Sequence, residues 1–192
     1  MWNYMIPIFN ENLYDVGFWF LIYSVMGWLV ETVYISLCNK KFTNRGYVHG
    51  PICPIYGVGG LFVHLVLVEF TNSYLEVFLL GSILATSIEF ITAKIMIRLF
   101  SCVWWDYTNK PFNYKGILCL ESSVVWGLYA IMDVSFLKDL IFVIVDQIPY
   151  AVGKAILVTT TIYYVIDFIV CTKNNKNGEI EVKDNNIVEY KF

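Results

Sequence analysis

Two glutamates lie inside long apolar segments, where a carboxylate is energetically costly. Glu31 follows Gly27 by four residues in the first apolar segment, and Glu89 follows Ala85 by four in the third. Small residues at helical spacing let neighbouring helices approach closely, so both carboxylates are expected to face protein rather than lipid. A charged carboxylate at membrane depth costs about 2.5–3.5 kcal/mol on insertion scales. The functional interpretation is binding of a cation, a proton or a polar head group. The structural alternative is an interhelical ion pair or hydrogen bond.

The two carboxylates are predicted to lie at the same depth. Glu31 precedes Lys40 by nine residues, and Glu89 precedes Arg98 by nine. At 1.5 Å per residue, both would lie about 13 Å from the cationic edge of the membrane. Glu121 enters the fourth apolar segment nearer the surface, where snorkelling is the simpler interpretation.

Residues 45–60 form the first of two unusual loops. Gly and Pro are dense here, which indicates special backbone geometry or close approach by another surface. Arg45 and His49 would suit a phosphate or an acidic lipid head group, or would serve only as topology charges. The predicted substrate-binding set from this region comprises Arg45, His49, Gly50, Pro51 and Tyr56, together with Glu31, Glu89 and Asp106.

Residues 104–116 form the second unusual loop, in which aromatic residues alternate with polar ones, as is typical of the head-group layer. Asp106, Asn109 and Asn113 could hydrogen-bond the turn backbone or orient a substrate. By topology, this loop is expected on the same side of the membrane as residues 45–54.

The cysteines and histidines predict no metal site. Five cysteines are present without a CxxC pair, and their odd number favours free thiols over a disulfide framework. A site from His49, Cys53 and Cys38 is conceivable, but its spacing is nonspecific. No Gly-rich P-loop occurs, so no cofactor and no nucleotide hydrolysis of that kind is predicted. The catalytic residues, if the chain has any, are not identifiable from the sequence.

Composition is typical of a membrane protein. Of the 192 residues, 58% are hydrophobic and 15% are charged, and the mean hydropathy is +0.60, whereas soluble domains carry about 25% charged residues. The net charge of −3, without a basic stripe, indicates no nucleic-acid partner.

Hydropathy predicts an all-α polytopic membrane protein with five transmembrane helices, at about 16–37, 53–70, 76–98, 117–136 and 149–171. Residues 137–145 would extend the fourth helix or lie at the interface. Cations follow the first, third and fifth segments, so the positive-inside rule predicts an outer N-terminus and a cytoplasmic C-terminus. The N-terminal stretch lacks Lys and Arg, which predicts that the first segment is not a cleaved signal. No solenoid-type repeat is evident. The predicted organisation is a transmembrane domain over 1–171 and a short polar cytoplasmic tail over 172–192.

Several rare residues at characteristic spacing complete the sequence picture. They are Gly27-Trp28-Leu29-Val30-Glu31, Gly50-Pro51-Ile52-Cys53-Pro54-Ile55-Tyr56-Gly57, Trp105-Asp106-Tyr107, Pro111-Phe112-Asn113, Gly116-Ile117-Leu118-Cys119-Leu120 and Trp126-Gly127. With these elements the chain resembles the ABC-transporter type IV permeases, a family of small bacterial polytopic membrane proteins, over about residues 17–170. The resemblance implies a membrane subunit with a separate ATPase partner. It brings no established substrate or catalytic residue.

The predicted function is therefore a permease or permease-like transporter subunit of the bacterial plasma membrane, with a cytoplasm-facing polar site. Membrane lipids, an ATPase subunit and a homo- or hetero-oligomer are the expected partners, because so few helices would not enclose a pathway alone. An intramembrane enzyme acting on a lipid or lipid-linked substrate is one alternative, in which Glu31 or Asp106 would act as general base. A non-catalytic scaffold is the other.

Overall fold

The fold is known from a computed structural model, which describes residues 5–6, 11–67, 73–176 and 188–189. Helices dominate it. We label them α1 (Leu13–Asn39), α2 (Pro54–Phe62), α3 (Tyr74–Phe100), α4 (Leu120–Met132), α5 (Lys138–Asp146) and α6 (Tyr150–Lys176). Two π-helical turns, π1 (Val63–Leu67) and π2 (Asp133–Leu137), continue α2 and join α4 to α5. Residues 137–145 therefore extend the fourth predicted helix.

Local sequence signals explain where the long helices begin and end. The side chain of Asn12 accepts a hydrogen bond from the backbone N–H of Asp15 at the start of α1, and Ser73 does the same for Glu76 at the start of α3. Such caps satisfy backbone donors that the first helical turn leaves free. Both helices end at a left-handed residue, Lys40 after α1 and Ser101 after α3.

In the part of the chain that the structure describes, three short antiparallel strand pairs accompany the helices. β1 (Met5–Ile6) pairs with β2 (Glu11–Asn12), and β4 (Asn113–Tyr114) pairs with β5 (Leu118–Cys119). β3 (Cys102–Val103) pairs with β6 (Val188–Glu189), which lies in the tail. The remainder of the tail beyond residue 176 lies outside the described residues, so the predicted boundary at 171–172 stays a prediction.

Among the described residues, three helices are long and apolar enough to cross a membrane: Leu13–Asn39, Tyr74–Phe100 and Tyr150–Asn174. The shorter apolar helix Pro54–Leu67 accompanies them. Many large apolar side chains on these helices are exposed, among them Leu37 at 73% and Ile83 at 65%. Such outward-facing apolar surface fits a protein surrounded by lipid. The count of five crossings and the orientation of the termini remain predictions.

The helices form two hairpins of similar construction. The first hairpin is α1 with α2–π1 (residues 13–67), and the second is α3 with α4–π2 (residues 74–137). In each, a glycine of the second helix meets a serine and a phenylalanine of the first. A Cβ built on Gly57 would lie 2.2 Å from Ser24 Oγ and 2.7 Å from Phe20. The close approach therefore requires a residue without a side chain.

The second hairpin reproduces this contact. A Cβ on Gly127 would lie 2.2 Å from Ser82 Oγ and 2.7 Å from Phe78. Gly127 precedes π2 by the same number of residues as Gly57 precedes π1. Both serine hydroxyls are buried without a hydrogen-bond partner in the described structure. The fold thus contains a two-copy repeat of a helix hairpin, which is not of the solenoid type.

A further contact joins the two helices of each hairpin, but the sizes of the residues that form it differ between the two copies. In the first, Tyr23 of α1 packs on Gly60 of α2. In the second, Gly81 of α3 packs on Ala130 of α4. Tyr23 is fully buried and belongs to the main apolar core, which α1 forms with α5, π2 and α6. This core anchors the first hairpin to the C-terminal helices.

Candidate functional site

Glu31 pairs with the loop of its own hairpin. The Arg45 guanidinium donates to Glu31 Oε1 from Nη2 at 3.1 Å and from Nε at 3.2 Å. The Arg45 side chain is only 6% exposed, whereas that of Glu31 is 25% exposed. The Arg45 backbone N–H is also held by Thr32 Oγ1 of α1, at 3.4 Å. The loop therefore folds back along α1 and delivers a buried cation to the carboxylate.

Glu89 is held by neutral donors instead. The Tyr107 hydroxyl donates to Glu89 Oε1 at 2.9 Å, and the Ser122 hydroxyl donates to Oε2 at 3.0 Å. The residue is 4% exposed. Burial raises the pKa of the Tyr107 hydroxyl well above its ordinary value, and the neighbouring Glu89 charge and hydrogen bond raise it further. The Tyr107 hydroxyl therefore keeps its proton and can donate a hydrogen bond to the Glu89 carboxylate.

The two carboxylates occupy corresponding positions in the two hairpins. Glu31 follows Ser24 by the same spacing as Glu89 follows Ser82. The two side chains lie near enough for their charges to interact. Both carboxylates lie against protein, which agrees with the expectation from the small-residue spacing.

An aromatic pair lies between the two carboxylates. Tyr56 of α2 interacts with Glu31, and Trp126 of α4 interacts with Glu89. The rings of Tyr56 and Trp126 are stacked at a tilt, with centroids 5.0 Å apart. A Cβ on Gly27 would lie 2.0 Å from the Tyr56 ring, so α1 must present a glycine to this ring. The structure thus brings Glu31, Glu89, Arg45 and Tyr56 into one region.

The Asp106 carboxylate accepts hydrogen bonds within the second unusual loop. Its Oδ1 accepts hydrogen bonds from the backbone N–H of Thr108, at 2.8 Å, and from the Thr108 hydroxyl, at 2.5 Å. Asn113 closes the same loop by donating to the Thr108 and Lys110 carbonyls and accepting from the Gly116 N–H. These contacts match the turn-forming interpretation of the loop.

Glu121 lies at the surface, as the sequence suggests. It accepts a hydrogen bond from Lys110 Nζ at 2.8 Å, between two exposed side chains. This partner raises the pKa of the Lys110 ammonium above its ordinary value, through the hydrogen bond and the charge. Exposed pairs of this kind contribute little to stability.

His49 and Gly50 contact Asp167 of α6. His49 Nδ1 lies 2.8 Å from Asp167 Oδ1, and the Gly50 N–H donates to Asp167 Oδ2 at 2.9 Å. Pro51 is exposed and lines a shallow groove of about 430 Å³ with residues of α1 and α6. A second groove, of about 510 Å³, lies along the end of α1 beside Lys40 and Lys41. Neither groove is lined by Glu31 or Glu89.

Two further acidic residues, which the sequence analysis does not identify as candidates, lie in the helical bundle. Asp133 of π2 is fully buried and accepts a hydrogen bond from the Tyr23 hydroxyl at 2.6 Å. Asp167 of α6 is 8% exposed and contacts His49. Both could have been found by the signal that identified Glu31, which is a carboxylate inside an apolar segment.

Comparison with known proteins bears on the whole helical region. No curated protein and no solved structure matches the chain significantly. One protein family does match, and its profile aligns with residues 18–172. This range includes most of the first hairpin, the whole second hairpin, both loops and nearly all of α6. Because the match covers most of its length, the chain belongs to the family described as "Putative ABC-transporter type IV".

Proposed function

We propose that the protein is a permease-like subunit of a membrane transporter, in which Glu31 and Glu89 form a polar site that opens to the cytoplasm. The observation that carries this proposal is the repetition of a carboxylate at the same position in two hairpins. Packing alone needs no buried acid, and an ion pair or a hydrogen-bonded acid gains little over well-packed apolar residues.

The partners of the two carboxylates suggest different roles. Glu31 is the more exposed of the two and is neutralised by Arg45, so a cation, a proton or a basic group on a substrate would compete with this arginine. Glu89 is more deeply buried and is held by two hydroxyl donors. In this proposal Glu31 receives the ligand, and Glu89 shapes the site through the Tyr56–Trp126 pair.

One chain supplies too few helices to enclose a transport pathway. We therefore propose that it acts in the plasma membrane as a homo- or hetero-oligomer and, as its family suggests, with a separate ATPase subunit. The exposed apolar faces of α1 and α3 offer surface for lipid or for further helices. The outer N-terminus and the inner C-terminus complete the proposed topology.

A thermal-shift screen of the purified protein tests the site. Wild type, Glu31→Gln and Glu89→Gln would be compared across pH, monovalent and divalent cations and anionic lipids, with Glu121→Gln as the matched surface control. We expect one or more ligands to stabilise wild type and the control, and to lose this effect in Glu31→Gln. If both buried variants keep the wild-type ligand response, the carboxylates do not form a binding site.

Transport itself is tested in proteoliposomes. Flux that depends on ATP and on a co-purified ATPase would support a permease subunit. Turnover of a lipid without such flux would favour the intramembrane enzyme instead. A scaffold has one observation in its favour, since both oxygens of Glu89 already have protein donors. It predicts neither flux nor turnover, together with a loss of partner assembly when α1 or α3 is altered.

A further inference from the structure

Three metal-binding side chains meet where the first loop contacts α6. His49 comes from the loop, and Asp167 and Cys171 come from adjacent turns of α6. His49 Nδ1 lies 2.8 Å from Asp167 Oδ1 and 3.2 Å from Cys171 Sγ. The Cys171 Sγ to Asp167 Oδ1 distance is 3.7 Å. One nitrogen, one oxygen and one sulfur atom therefore lie within 3.7 Å of one another.

We propose that His49, Asp167 and Cys171 bind a single transition-metal ion of the zinc type. Zinc takes imidazole, carboxylate and thiolate ligands at about 2.0–2.3 Å, so a tetrahedral site places neighbouring ligand atoms about 3.3–3.8 Å apart. The Cys171–Asp167 distance of 3.7 Å lies within this range, and the two distances to His49 Nδ1, at 2.8 and 3.2 Å, lie below it. A small movement of the His49 ring would allow His49 Nδ1, Asp167 Oδ1 and Cys171 Sγ to lie within bonding distance of the same zinc ion. The proposed site shares no residue with the Glu31–Glu89 site and does not depend on the proposed transport role.

The surroundings position the ligands. Asp167 and Cys171 are four residues apart on a helix, so both side chains project from the same face. The Gly50 N–H holds Asp167 Oδ2 at 2.9 Å, which leaves Oδ1 turned toward the imidazole. Contacts of this kind orient metal ligands and commonly decide their affinity. A Cβ on Gly50 would lie 2.7 Å from the Tyr163 ring, so a larger residue there would have to displace this exposed ring.

The donor set and the exposure select the class of metal. Calcium and magnesium prefer oxygen ligands, whereas a mixture of nitrogen, sulfur and oxygen suits zinc and its first-row neighbours. Asp167 and Cys171 are buried, but the His49 side chain is 60% exposed. Three protein ligands with one accessible side leave a fourth position for water or for an exogenous group. The bound ion would join the first loop to the last helix.

Cobalt and zinc binding to the full-length protein in detergent test the proposal. Chelator-treated wild type is expected to bind one equivalent of Co²⁺, with a thiolate-to-cobalt charge-transfer band that Zn²⁺ abolishes. Cys171→Ser should lose this band. His49→Asn and Asp167→Asn should weaken binding by more than the about 10–100-fold that outer contacts typically contribute. Cys53→Ser, which removes a thiol of the same loop, is the matched control and should retain the band.

A second measurement avoids the question of variant folding. In wild-type protein, Zn²⁺ should slow alkylation of Cys171 while leaving that of the exposed Cys38 unchanged. Substoichiometric binding, a cobalt spectrum without a thiolate band, or a spectrum unchanged in Cys171→Ser would each overturn the proposal. Equal protection of Cys171 and Cys38 would overturn it as well.

Discussion

Replacing the two hairpin glycines by alanine tests whether the two hairpins are built alike. The added Cβ of Gly57→Ala would lie 2.2 Å from Ser24 Oγ, and that of Gly127→Ala would lie 2.2 Å from Ser82 Oγ. Contacts this short cannot persist, so the two helices of each hairpin would have to separate. The expected result is destabilisation of similar size in both variants.

The size of the effect follows from two opposing contributions. Overpacking a tight contact costs about 1–3 kcal/mol. Alanine is favoured over glycine within a helix by about 0.5–1 kcal/mol. The net loss should therefore lie between about 0 and 2.5 kcal/mol for each variant, with a central value of about 1.2 kcal/mol. Gly59→Ala is the matched control on the same helix, because nothing lies within 4 Å of the Cβ position at Gly59. That variant should retain or slightly raise stability.

Unfolding of the purified variants in detergent, followed by circular dichroism or by a thermal-shift dye, measures these differences. Ser24→Gly should recover part of the loss in Gly57→Ala, because it removes the nearer of the two contacts but leaves Phe20. The reasoning is refuted if Gly57→Ala and Gly127→Ala behave like Gly59→Ala. A large loss in only one of the two would contradict the structural equivalence of the hairpins.

Three further predictions concern charge and topology. Arg45→Gln should destabilise the protein by less than the loss of about 3–5 kcal/mol that is typical of fully buried ion pairs, because Glu31 is 25% exposed. A double-mutant cycle with Glu31→Gln should show positive coupling between the two residues. Additive losses of stability would contradict a direct ion pair. Lys110→Ala should leave the unfolding midpoint unchanged, because its partner is also exposed; a clear fall in the midpoint would contradict this. In a cysteine-free background, a cysteine at exposed Lys41 should resist impermeant maleimide added to intact cells, whereas one at exposed Ser73 should react; the reverse pattern would overturn the proposed orientation.

Hydropathy and small-residue spacing correctly predicted that the apolar segments are helical and that the two carboxylates face protein, whereas the count of five crossings stays a prediction. A run of apolar residues without charges has few alternatives to a helix in lipid, because every backbone group needs a partner. The stripe of Gly81, Ala85 and Glu89 then determines which face meets a neighbour, and the structure buries all three. These properties depend on residues close together in sequence.

The contacts that complete each site depend on distant residues or on loop geometry. His49 meets Asp167 across 118 residues, and no local pattern indicates that pairing. From the sequence alone, the nearer Cys38 and Cys53 are the conceivable partners of His49, at a nonspecific spacing. Asp106 could equally have faced a substrate, and only the fold of the second loop shows its carboxylate turned to Thr108.

The hairpin repeat is not evident from the sequence, because the two copies keep the same helix packing while several of their residue types differ. Each hairpin joins its helices through glycine, serine and phenylalanine, yet Tyr23 against Gly60 in the first becomes Gly81 against Ala130 in the second. The acid is retained in both copies, whereas its partner changes from the Arg45 cation to the Tyr107 and Ser122 hydroxyls. Two carboxylates at equivalent positions but in unlike electrostatic surroundings will differ in their response to the same ion.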